Sequence, residues 1–244
     1  IPIGVEPNGY NINLNCGSTN TLMASELVKK YNADLAICLD GDADRVVILD
    51  ELGNEIDGDQ LIALIANNLK SENKIQGDTI VSTVMSNLGL IRYLTDLGLN
   101  LFRTPVGDRY VSEIMKEKGF NFGGEKSGHI IMTDYSSTGD GLLAALYFLS
   151  ILKDSGRTTS QLLNVFKPTP QKLLNLNFVS KNNPLKNSEF NKTINELRKK
   201  ISNSGEILVR KSGTEPVIRI MIQHKDTKIF EEILEEINYM ISKL

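Results

Sequence analysis

Hydrophobic and polar residues alternate along the first part of the chain in blocks that predict a helix and then two strands. Residues 21–31 carry apolar side chains at the spacing of a short amphipathic helix. Residues 35–39 form a continuous apolar run, which is typical of a buried parallel strand. A second strand is predicted at residues 45–50, and Gly53 turns the chain away from it.

The middle of the chain repeats the order of strand and helix. One helix is predicted from residue 60, with Asp57 as its N-cap, and two more end at Gly98 and Gly119. Asp108 is the predicted cap of the helix that ends at Gly119. A glycine-rich loop between two strands and an apolar helix from Gly139 follow. Strands that alternate with helices of this length predict an α/β fold with a mostly parallel sheet.

The last part of the chain predicts a small α+β domain. It follows "KPTPQ", a proline-containing linker in which we place a hinge. Strands are predicted at residues 172–180, 206–210 and 217–223, with a helix at 188–202. A final helix has an apolar face formed by Ile229, Phe230, Ile233, Ile237, Met240, Ile241 and Leu244. The predicted domains therefore span residues 1–54, 55–167 and 168–244.

Composition excludes several classes of protein. The net charge of −3 gives no support for a nucleic-acid groove, which needs a basic excess. The longest apolar stretch, residues 141–152, is shorter than the roughly 20 residues of a membrane span. Cys16 and Cys38 have neither metal nor redox spacing, so the expected compartment is the cytosol. The first residues resemble neither a signal peptide nor a natural start, and we expect an upstream part to be absent.

Three aspartates, Asp40, Asp42 and Asp44, stand at every second position directly after a predicted strand. Carboxylates at this spacing in a tight loop can converge on one hard cation such as Mg²⁺ or Ca²⁺. An EF-hand begins in the same way, but its sixth position is glycine and here it is Arg45. A solvated acidic turn is the simpler alternative. The place after a strand favours a ligand site, because ligands of open α/β sheets bind at the carboxyl ends of strands.

A second polar loop, "GGEKSGH", lies between two predicted strands. Glu125 and Ser127 can form hydrogen bonds with sugar hydroxyls, and His129 can donate, accept or move a proton. A glycine-rich hairpin with chance polar residues is the competing interpretation.

A third loop, within "RKSGTEPVIRIM", has the composition of an anion site. Ser212, Gly213 and Thr214 offer hydroxyls and backbone N–H groups in a turn, and Arg210 and Arg219 flank them. A helix capping box is the alternative, since a serine precedes a glutamate by three residues; the following proline and apolar strand disfavour it.

Arg109 lies in the first turn of a predicted helix, an unfavourable place for a cation. It is either a ligand-binding residue or an ordinary surface arginine.

Together, a cation loop, a hydroxyl-binding loop and a phosphate loop in successive segments predict a phosphosugar as ligand.

These motifs, in this order, resemble the α-D-phosphohexomutase superfamily. "EPNGYNIN", "DGDQ", "SNLGL", "VGDRYV" and "TGDG" are similar to its bacterial glucosamine-phosphate branch. The resemblance covers essentially the whole chain. It implies the last part of domain two and all of domain three, both of the α/β type, followed by a small α+β domain four.

The resemblance also implies roles for the residues. Asp40, Asp42 and Asp44 would hold Mg²⁺, and Arg45 would lie at the phosphoryl-transfer centre. Glu125 and Ser127 would bind sugar hydroxyls. The distal phosphate would be bound by Arg210, Ser212, Gly213, Thr214 and Arg219. His129 and Arg45 are the catalytic candidates among these residues, and Arg109 is an additional candidate for substrate binding.

The implied reaction interconverts glucosamine 6-phosphate and glucosamine 1-phosphate through a phosphoserine and a 1,6-bisphosphosugar. No stretch of the chain resembles the phosphoserine loop, so we expect no turnover by these residues alone. Lys126 stands where glucosamine-specific members usually carry Gln or Asn. Phosphomannomutase or phosphoglucomutase activity and a non-catalytic phosphosugar-binding module are the alternatives. No nucleic-acid or membrane partner is expected, and a homodimer stays open.

Overall fold

The computed structural model of the protein describes residues 1–178, 183–201, 204–212 and 216–243. The chain is divided into two compact units, Ile1–Lys167 and Pro168–Leu244. Each unit has its own hydrophobic core. Across the described ranges, no helix is both long enough and apolar enough to cross a membrane.

The first unit begins with helix α1 and a small antiparallel sheet. Helix α1 is Leu22–Tyr31, and the strands are β1 (Ala36–Leu39), β2 (Val46–Leu49) and β3 (Glu55–Ile56), in the order β1-β2-β3. Strand β1 pairs antiparallel with β2, so the prediction of a parallel strand at residues 35–39 is wrong. The loop between them is long enough for a hairpin but too short for the crossover that parallel pairing requires.

A second, four-stranded sheet lies in the same unit, with the order β5-β4-β6-β7. Its strands are β4 (Thr79–Thr83), β5 (Asn100–Thr104), β6 (Phe122–Gly124) and β7 (Ile130–Met132). Strand β4 pairs parallel with both β5 and β6, and β7 returns antiparallel to β6. The predicted α/β fold with a mostly parallel sheet is confirmed.

The helices of this unit are α2 (Gly58–Ser71), α3 (Leu88–Asp96), α4 (Asp108–Lys118), α5 (Gly141–Ser155) and the short α6 (Thr159–Leu162). Apolar side chains of α2, α3 and α5 form one core with those of β4, and Val46 and Ile48 of β2 belong to the same core. The core therefore joins the small antiparallel sheet to the larger one.

The N-cap residues of two helices were predicted from the sequence and can be compared with the structure. Asp57 is the N-cap of α2 as predicted, and its side chain accepts a hydrogen bond from the Asp59 N–H at 3.0 Å. The prediction that Asp108 caps α4 is wrong, because Gly107 is the N-cap and Asp108 is the first helical residue. The backbone at this cap has φ +135°, which favours glycine over aspartate.

The second unit is an antiparallel sheet covered by two helices. Its elements are β8 (Gln171–Asn177), α7 (Ser188–Ile201), β9 (Gly205–Lys211), β10 (Val217–His224) and α8 (Thr227–Ile241), with strand order β8-β10-β9. Ile233 and Ile237 on the predicted apolar face of α8 are fully buried. Leu244 and the predicted element ends at residues 180 and 202 lie outside the described residues.

Candidate functional site

The aspartate loop between β1 and β2 is held in shape by its own backbone. The Ala43 N–H donates to the Asp40 carbonyl at 3.1 Å, and Ala43 adopts a left-handed conformation with φ +59°. The Arg45 N–H donates to Asp40 Oδ1 at 3.1 Å. At the first residue of α5, the Gly141 N–H donates to the Ala43 carbonyl at 2.8 Å. The loop therefore curls back on Asp40 and is attached to the beginning of α5.

The carboxylates of this loop are arranged to suit a hard divalent cation. Asp40, Asp42 and Asp44 each offer one oxygen, and these oxygens lie within 4.8 Å of one another. Three carboxylate oxygens from one short loop are the hard ligands that Mg²⁺ prefers, so the residues present fit this ion. Among the described residues, Asp44 Oδ1 is buried and has no hydrogen-bond partner. Burial and the adjacent Asp40 carboxyl raise the pKa of Asp44, and a bound cation would offset both effects.

Arg45 and His129 come from different loops and meet at Asp44. The half-exposed Arg45 guanidinium lies 3.9 Å from Asp44 Oδ1 through Nε and 3.9 Å from Asp40 Oδ2 through Nη1. His129 is buried, and its Nε2 lies 3.4 Å from Asp44 Oδ2. The backbones of Arg45 and His129 also form an isolated antiparallel bridge. The structure thus brings the aspartate loop and the glycine-rich loop together.

Two residues at this meeting point were not identified from the sequence as site residues. Asp108 offers a carboxylate oxygen close to Asp44 and His129. A Cβ at Gly139 would lie 2.2 Å from His129 Nε2, so the imidazole occupies the space that a side chain would fill. Both residues fall in stretches that carried the family resemblance, "VGDRYV" and "TGDG", but neither stretch indicated a contact with His129.

The glycine-rich loop is a tight turn between β6 and β7. The Glu125 N–H donates to the His129 carbonyl at 2.8 Å, and the Gly128 N–H donates to the Glu125 carbonyl at 2.9 Å. The Glu125 side chain is buried, and its Oε1 accepts a hydrogen bond from the Gly107 N–H at 3.1 Å. Ser127 is exposed at the tip of the turn. The carboxylate is therefore fixed in place while the hydroxyl is accessible.

Gly128 packs this turn directly against β2. Its φ is +89°, and a Cβ built on it would lie 2.0 Å from the Val46 carbonyl oxygen. The Val46 N–H donates to the Gly128 carbonyl at 3.1 Å. Since β2 begins just after the aspartate loop, this contact sets the distance between the two loops.

Lys126 does not extend into solvent but forms an ion pair at the beginning of α2. Its Nζ contacts Asp57 Oδ2 and lies 3.9 Å from Asp59 Oδ2. The Asp59 side chain is completely buried, and its Oδ2 accepts a hydrogen bond from the Asn87 N–H at 2.7 Å. Burial raises the pKa of Asp59 to about 7, although Lys126 acts in the opposite direction.

A cavity of about 420 Å³ opens beside these residues. Its lining includes Arg45 from the aspartate loop, Lys126 and Ser127 from the turn, and Asp57 from the cap of α2. Groups of both charges therefore face one concave space that is large enough for small-molecule recognition.

The predicted phosphate segment lies in the second unit. Arg210 and Arg219 are directly opposite each other on β9 and β10, and both are half-buried. The buried Ser212 donates its N–H to the Val217 carbonyl at 2.7 Å. Gly213 and Thr214 lie outside the described residues. Arginine side chains on neighbouring strands can bind one anion between them, since each guanidinium offers several N–H donors.

Arg109 is an exposed residue of α4. Its Nε donates to Glu113 Oε1 at 2.7 Å, one turn further along the helix. The described contacts of its side chain are those of a surface ion pair, and its role in substrate binding stays a prediction.

Comparison with known families extends these observations. The family model of phosphoglucomutase/phosphomannomutase α/β/α domain III matches residues 57–169, and that of the C-terminal domain of the same family matches residues 172–239. The chain belongs to the phosphoglucomutase/phosphomannomutase family. This confirms the predicted membership of the phosphohexomutase superfamily.

Curated relatives in this family are similar to the chain over almost all of its length. A phosphoglucosamine mutase of Cereibacter sphaeroides is 52% identical over 97% of this chain and 53% of its own length. One from Phenylobacterium zucineum is 51% identical over 100% of this chain and 54% of its own length. The chain therefore spans about half the length of the curated relatives it matches.

Solved structures of the family share the fold. A phosphoglucomutase/phosphomannomutase family protein of Burkholderia thailandensis has a TM-score of 0.74 at 24% identity, covering 91% of this chain and 49% of its own. The N-acetylphosphoglucosamine mutase of Aspergillus fumigatus, solved with GlcNAc-6P and magnesium, has a TM-score of 0.72 at 20% identity, covering 94% and 57%. At sequence identities of 24% and 20%, this similarity supports a shared fold only.

Proposed function

We propose that this chain forms part of a phosphoglucosamine mutase, which interconverts glucosamine 6-phosphate and glucosamine 1-phosphate through a phosphoserine and a 1,6-bisphosphosugar. The observation that carries the proposal is the meeting of the two loops. His129 Nε2 of the predicted sugar loop lies 3.4 Å from Asp44 Oδ2 of the predicted metal loop. A cation-binding group and a sugar-binding group side by side are what phosphoryl transfer to a sugar hydroxyl requires. The names of the relatives at 52% and 51% identity support the same choice.

Asp40, Asp42 and Asp44 would hold the Mg²⁺ ion. When bound, the ion would neutralise part of the charge on the transferring phosphoryl group. The backbone of the loop takes its shape without the ion, because the N–H groups of Ala43 and Arg45 donate to the carbonyl and the carboxylate of Asp40.

Arg45 is suited to bind the transferring phosphoryl group. Its guanidinium is half-exposed and 3.9 Å from the carboxylates of Asp40 and Asp44, so it can turn towards an incoming anion. Arginine binds phosphate oxygens in a bidentate manner, which fixes orientation as well as charge.

His129 is suited to hold or move a proton at the reacting hydroxyl. The Asp44 carboxylate beside Nε2 orients the imidazole ring, and Gly139 leaves room for the ring. General acid–base catalysis needs a titratable group in a fixed position near the transferred proton. The role of His129 in the reaction is part of the proposal.

Glu125 and Ser127 would bind hydroxyls on one side of the sugar. The carboxylate of Glu125 is a strong acceptor, and its bond from the Gly107 N–H fixes its direction. The exposed Ser127 hydroxyl can both donate and accept.

In the second unit, Arg210, Ser212 and Arg219 would bind the phosphate that is not being transferred, together with Gly213 and Thr214. The facing arginines of β9 and β10 supply two positive charges for a phosphate dianion. The phosphoserine is expected outside these 244 residues.

Kinetics with three substrates test the proposal. The protein that carries this chain together with a phosphoserine region is assayed with the 6-phosphates of glucosamine, mannose and glucose. We expect the highest kcat/KM with glucosamine 6-phosphate and no turnover by the present chain alone. A preference for mannose or glucose phosphate would assign phosphomannomutase or phosphoglucomutase activity instead. Binding without turnover by the longer protein would assign a phosphosugar-binding module.

A further inference from the structure

Lys126 is the positively charged residue of the sugar-binding turn, between Glu125 and Ser127. A free lysine at this position would disfavour an amino sugar, because a protonated amine on the ligand would meet an ammonium group on the protein. The proposed substrate carries such an amine. The structure shows how this conflict is avoided.

The Lys126 ammonium is paired rather than free. It contacts Asp57 Oδ2 and lies 3.9 Å from Asp59 Oδ2, and both carboxyls belong to the beginning of α2. The side chain of Lys126 is 32% exposed, so solvent screens this pair only in part.

The partners of Lys126 are fixed by bonds of their own. Asp57 accepts the N–H of Asp59 at 3.0 Å as the helix cap. Asp59 is completely buried and accepts the N–H of Asn87, the cap residue of α3, at 2.7 Å. The carboxyls are therefore attached to two helices and cannot follow a lysine that moves away.

The backbone of the turn rests on the same helix. A Cβ at Gly58 would lie 2.4 Å from the Lys126 carbonyl oxygen and 2.9 Å from the Gly128 nitrogen. Only a residue without a side chain allows the turn to approach the beginning of α2 so closely. Asp57, Lys126 and Ser127 line the same cavity as a result.

We propose that Asp57, assisted by Asp59, is a specificity-determining residue that neutralises Lys126, so that the sugar-binding turn accepts a cationic amino sugar. This inference rests on the proposed function. Asp57 acts through Lys126, by cancelling its charge, and the groups that touch the sugar are those of the turn.

Two ligands that differ at one position test the proposal. Glucosamine 6-phosphate and glucose 6-phosphate share the phosphate and differ in an amine or a hydroxyl at C2. Their dissociation constants for the present chain are measured by NMR titration, and the ratio of the two affinities is the readout. Asp57→Asn removes the negative charge but keeps a good N-cap, because asparagine is as favourable there as aspartate.

We expect Asp57→Asn to weaken the binding of glucosamine 6-phosphate relative to that of glucose 6-phosphate by about three- to tenfold. This is the effect of one charge at a distance of several ångströms in a partly screened site. Asp57→Asn combined with Lys126→Gln removes both charges, and we expect it to restore the wild-type ratio. A loss of structure would change both affinities and would not be rescued in this way.

Asp78→Asn is the matched control. It breaks a similar pair, in which Lys70 Nζ lies 2.7 Å from Asp78 Oδ1, near the other end of α2, and the ratio is expected to stay unchanged. If both sugar phosphates bind but Asp57→Asn leaves the ratio unchanged, or the double variant does not restore it, the inference is overturned and the proposed function stands. If neither sugar phosphate binds to the wild-type chain, the inference fails, and the kinetics of the longer protein decide on the proposed function.

Discussion

At the scale of single residues, Asp44 connects the groups of the candidate site. One carboxylate oxygen faces His129 Nε2 at 3.4 Å, and the other is buried without a hydrogen-bond partner among the described residues. Arg45 lies 3.9 Å from that second oxygen. A bound metal ion would stabilise the negative charge of Asp44. Because Asp44 contacts His129 as well, its charge affects both the cation loop and the sugar loop.

Asp42 provides a test of cation binding that leaves the loop intact. It is exposed, and no hydrogen bond of the loop described above uses its side chain. We expect Mg²⁺ to stabilise the wild-type chain by about 1.4 kcal/mol when its free concentration is tenfold above the Kd. Asp42→Ala should unfold at the wild-type temperature without Mg²⁺ and lose most of this gain, as measured by thermal unfolding with and without the ion. Asp154→Ala, an exposed change on α5, should keep the full gain; an unchanged gain in Asp42→Ala would remove Asp42 from the cation site.

Asp59 predicts a pH dependence of stability. Burial raises its pKa from 3.8 to about 7 in the folded chain. Between these values the folded chain binds a proton that the unfolded chain has released, so the free energy of unfolding decreases as pH rises from about 4 to 7 and is constant above 7 for this group. The slope is at most about 1.4 kcal/mol per pH unit. Asp59→Asn should remove this part of the slope in urea unfolding at pH 5 and pH 8, and Asp78→Asn should not. Equal slopes in wild type and Asp59→Asn would contradict the prediction.

Some of these residues could be predicted as site residues from the sequence, and others could not. Asp40, Asp42 and Asp44 are local in sequence, and the structure does bring their oxygens together. The pair of Lys126 and Asp57 joins residues that are 69 positions apart, and no local pattern indicates it.

At the scale of elements, Gly128 determines how the β6–β7 hairpin sits against β2. A methyl group at this position would meet the Val46 carbonyl oxygen at 2.0 Å, and the backbone is left-handed as well. We expect Gly128→Ala to lower the free energy of unfolding by more than about 3 kcal/mol, a value typical of a severe steric conflict in a folded interior.

Gly119, which ends α4, is the matched control for this prediction. Its φ is +70°, but no atom lies within 4 Å of the place that an added methyl group would take, so Gly119→Ala should cost only the backbone strain of about 1 kcal/mol. Both variants are compared by urea unfolding. Similar losses in the two would mean that the contact with Val46 contributes little.

The elements that sequence patterns predicted well are those with clear ends. Helix α2 begins after its Asp57 cap, and α4 ends before Gly119 in a left-handed conformation. Strand β3 and helix α6 have two and four residues, which is too short for a periodic pattern to be detected. The wrong assignment of β1 as parallel has a similar origin, because an apolar run shows burial but not the direction of the neighbouring strand.

At the scale of the whole molecule, the core of the first unit extends further along the chain than the predicted domains do. The core of the first unit combines Val46 and Ile48 with side chains of α2 and α5, so it extends across the predicted boundary at residue 54. Glu51 adds a polar link, since its carboxylate accepts the Ser160 N–H at 3.0 Å. Contacts of this kind are not visible in the sequence, from which a boundary is predicted at residue 54. The division at residue 54 stays a prediction.

Separate cores predict that the two units fold separately. We expect residues 1–167 to unfold cooperatively when expressed without the rest of the chain, because their core is made only of residues up to Phe166 and their partly buried neighbours. The same protein should keep the stabilisation by Mg²⁺, since Asp40, Asp42 and Asp44 belong to this unit. Circular dichroism during heating, with and without the ion, measures both. Non-cooperative unfolding of residues 1–167 would show that the first unit depends on the second.

The close approach of Gly128 to Val46 has a consequence for how such a protein can diverge. Because the turn has no room for a different backbone path, we expect neither insertions nor residues larger than glycine to be tolerated at position 128. Replacement of the side chains at positions 126 and 127 remains open, and a replacement at position 126 can be compensated at Asp57, at the beginning of α2. A new substrate preference in this lineage is therefore expected to arise by paired substitutions at positions 57 and 126 rather than by remodelling of the loop.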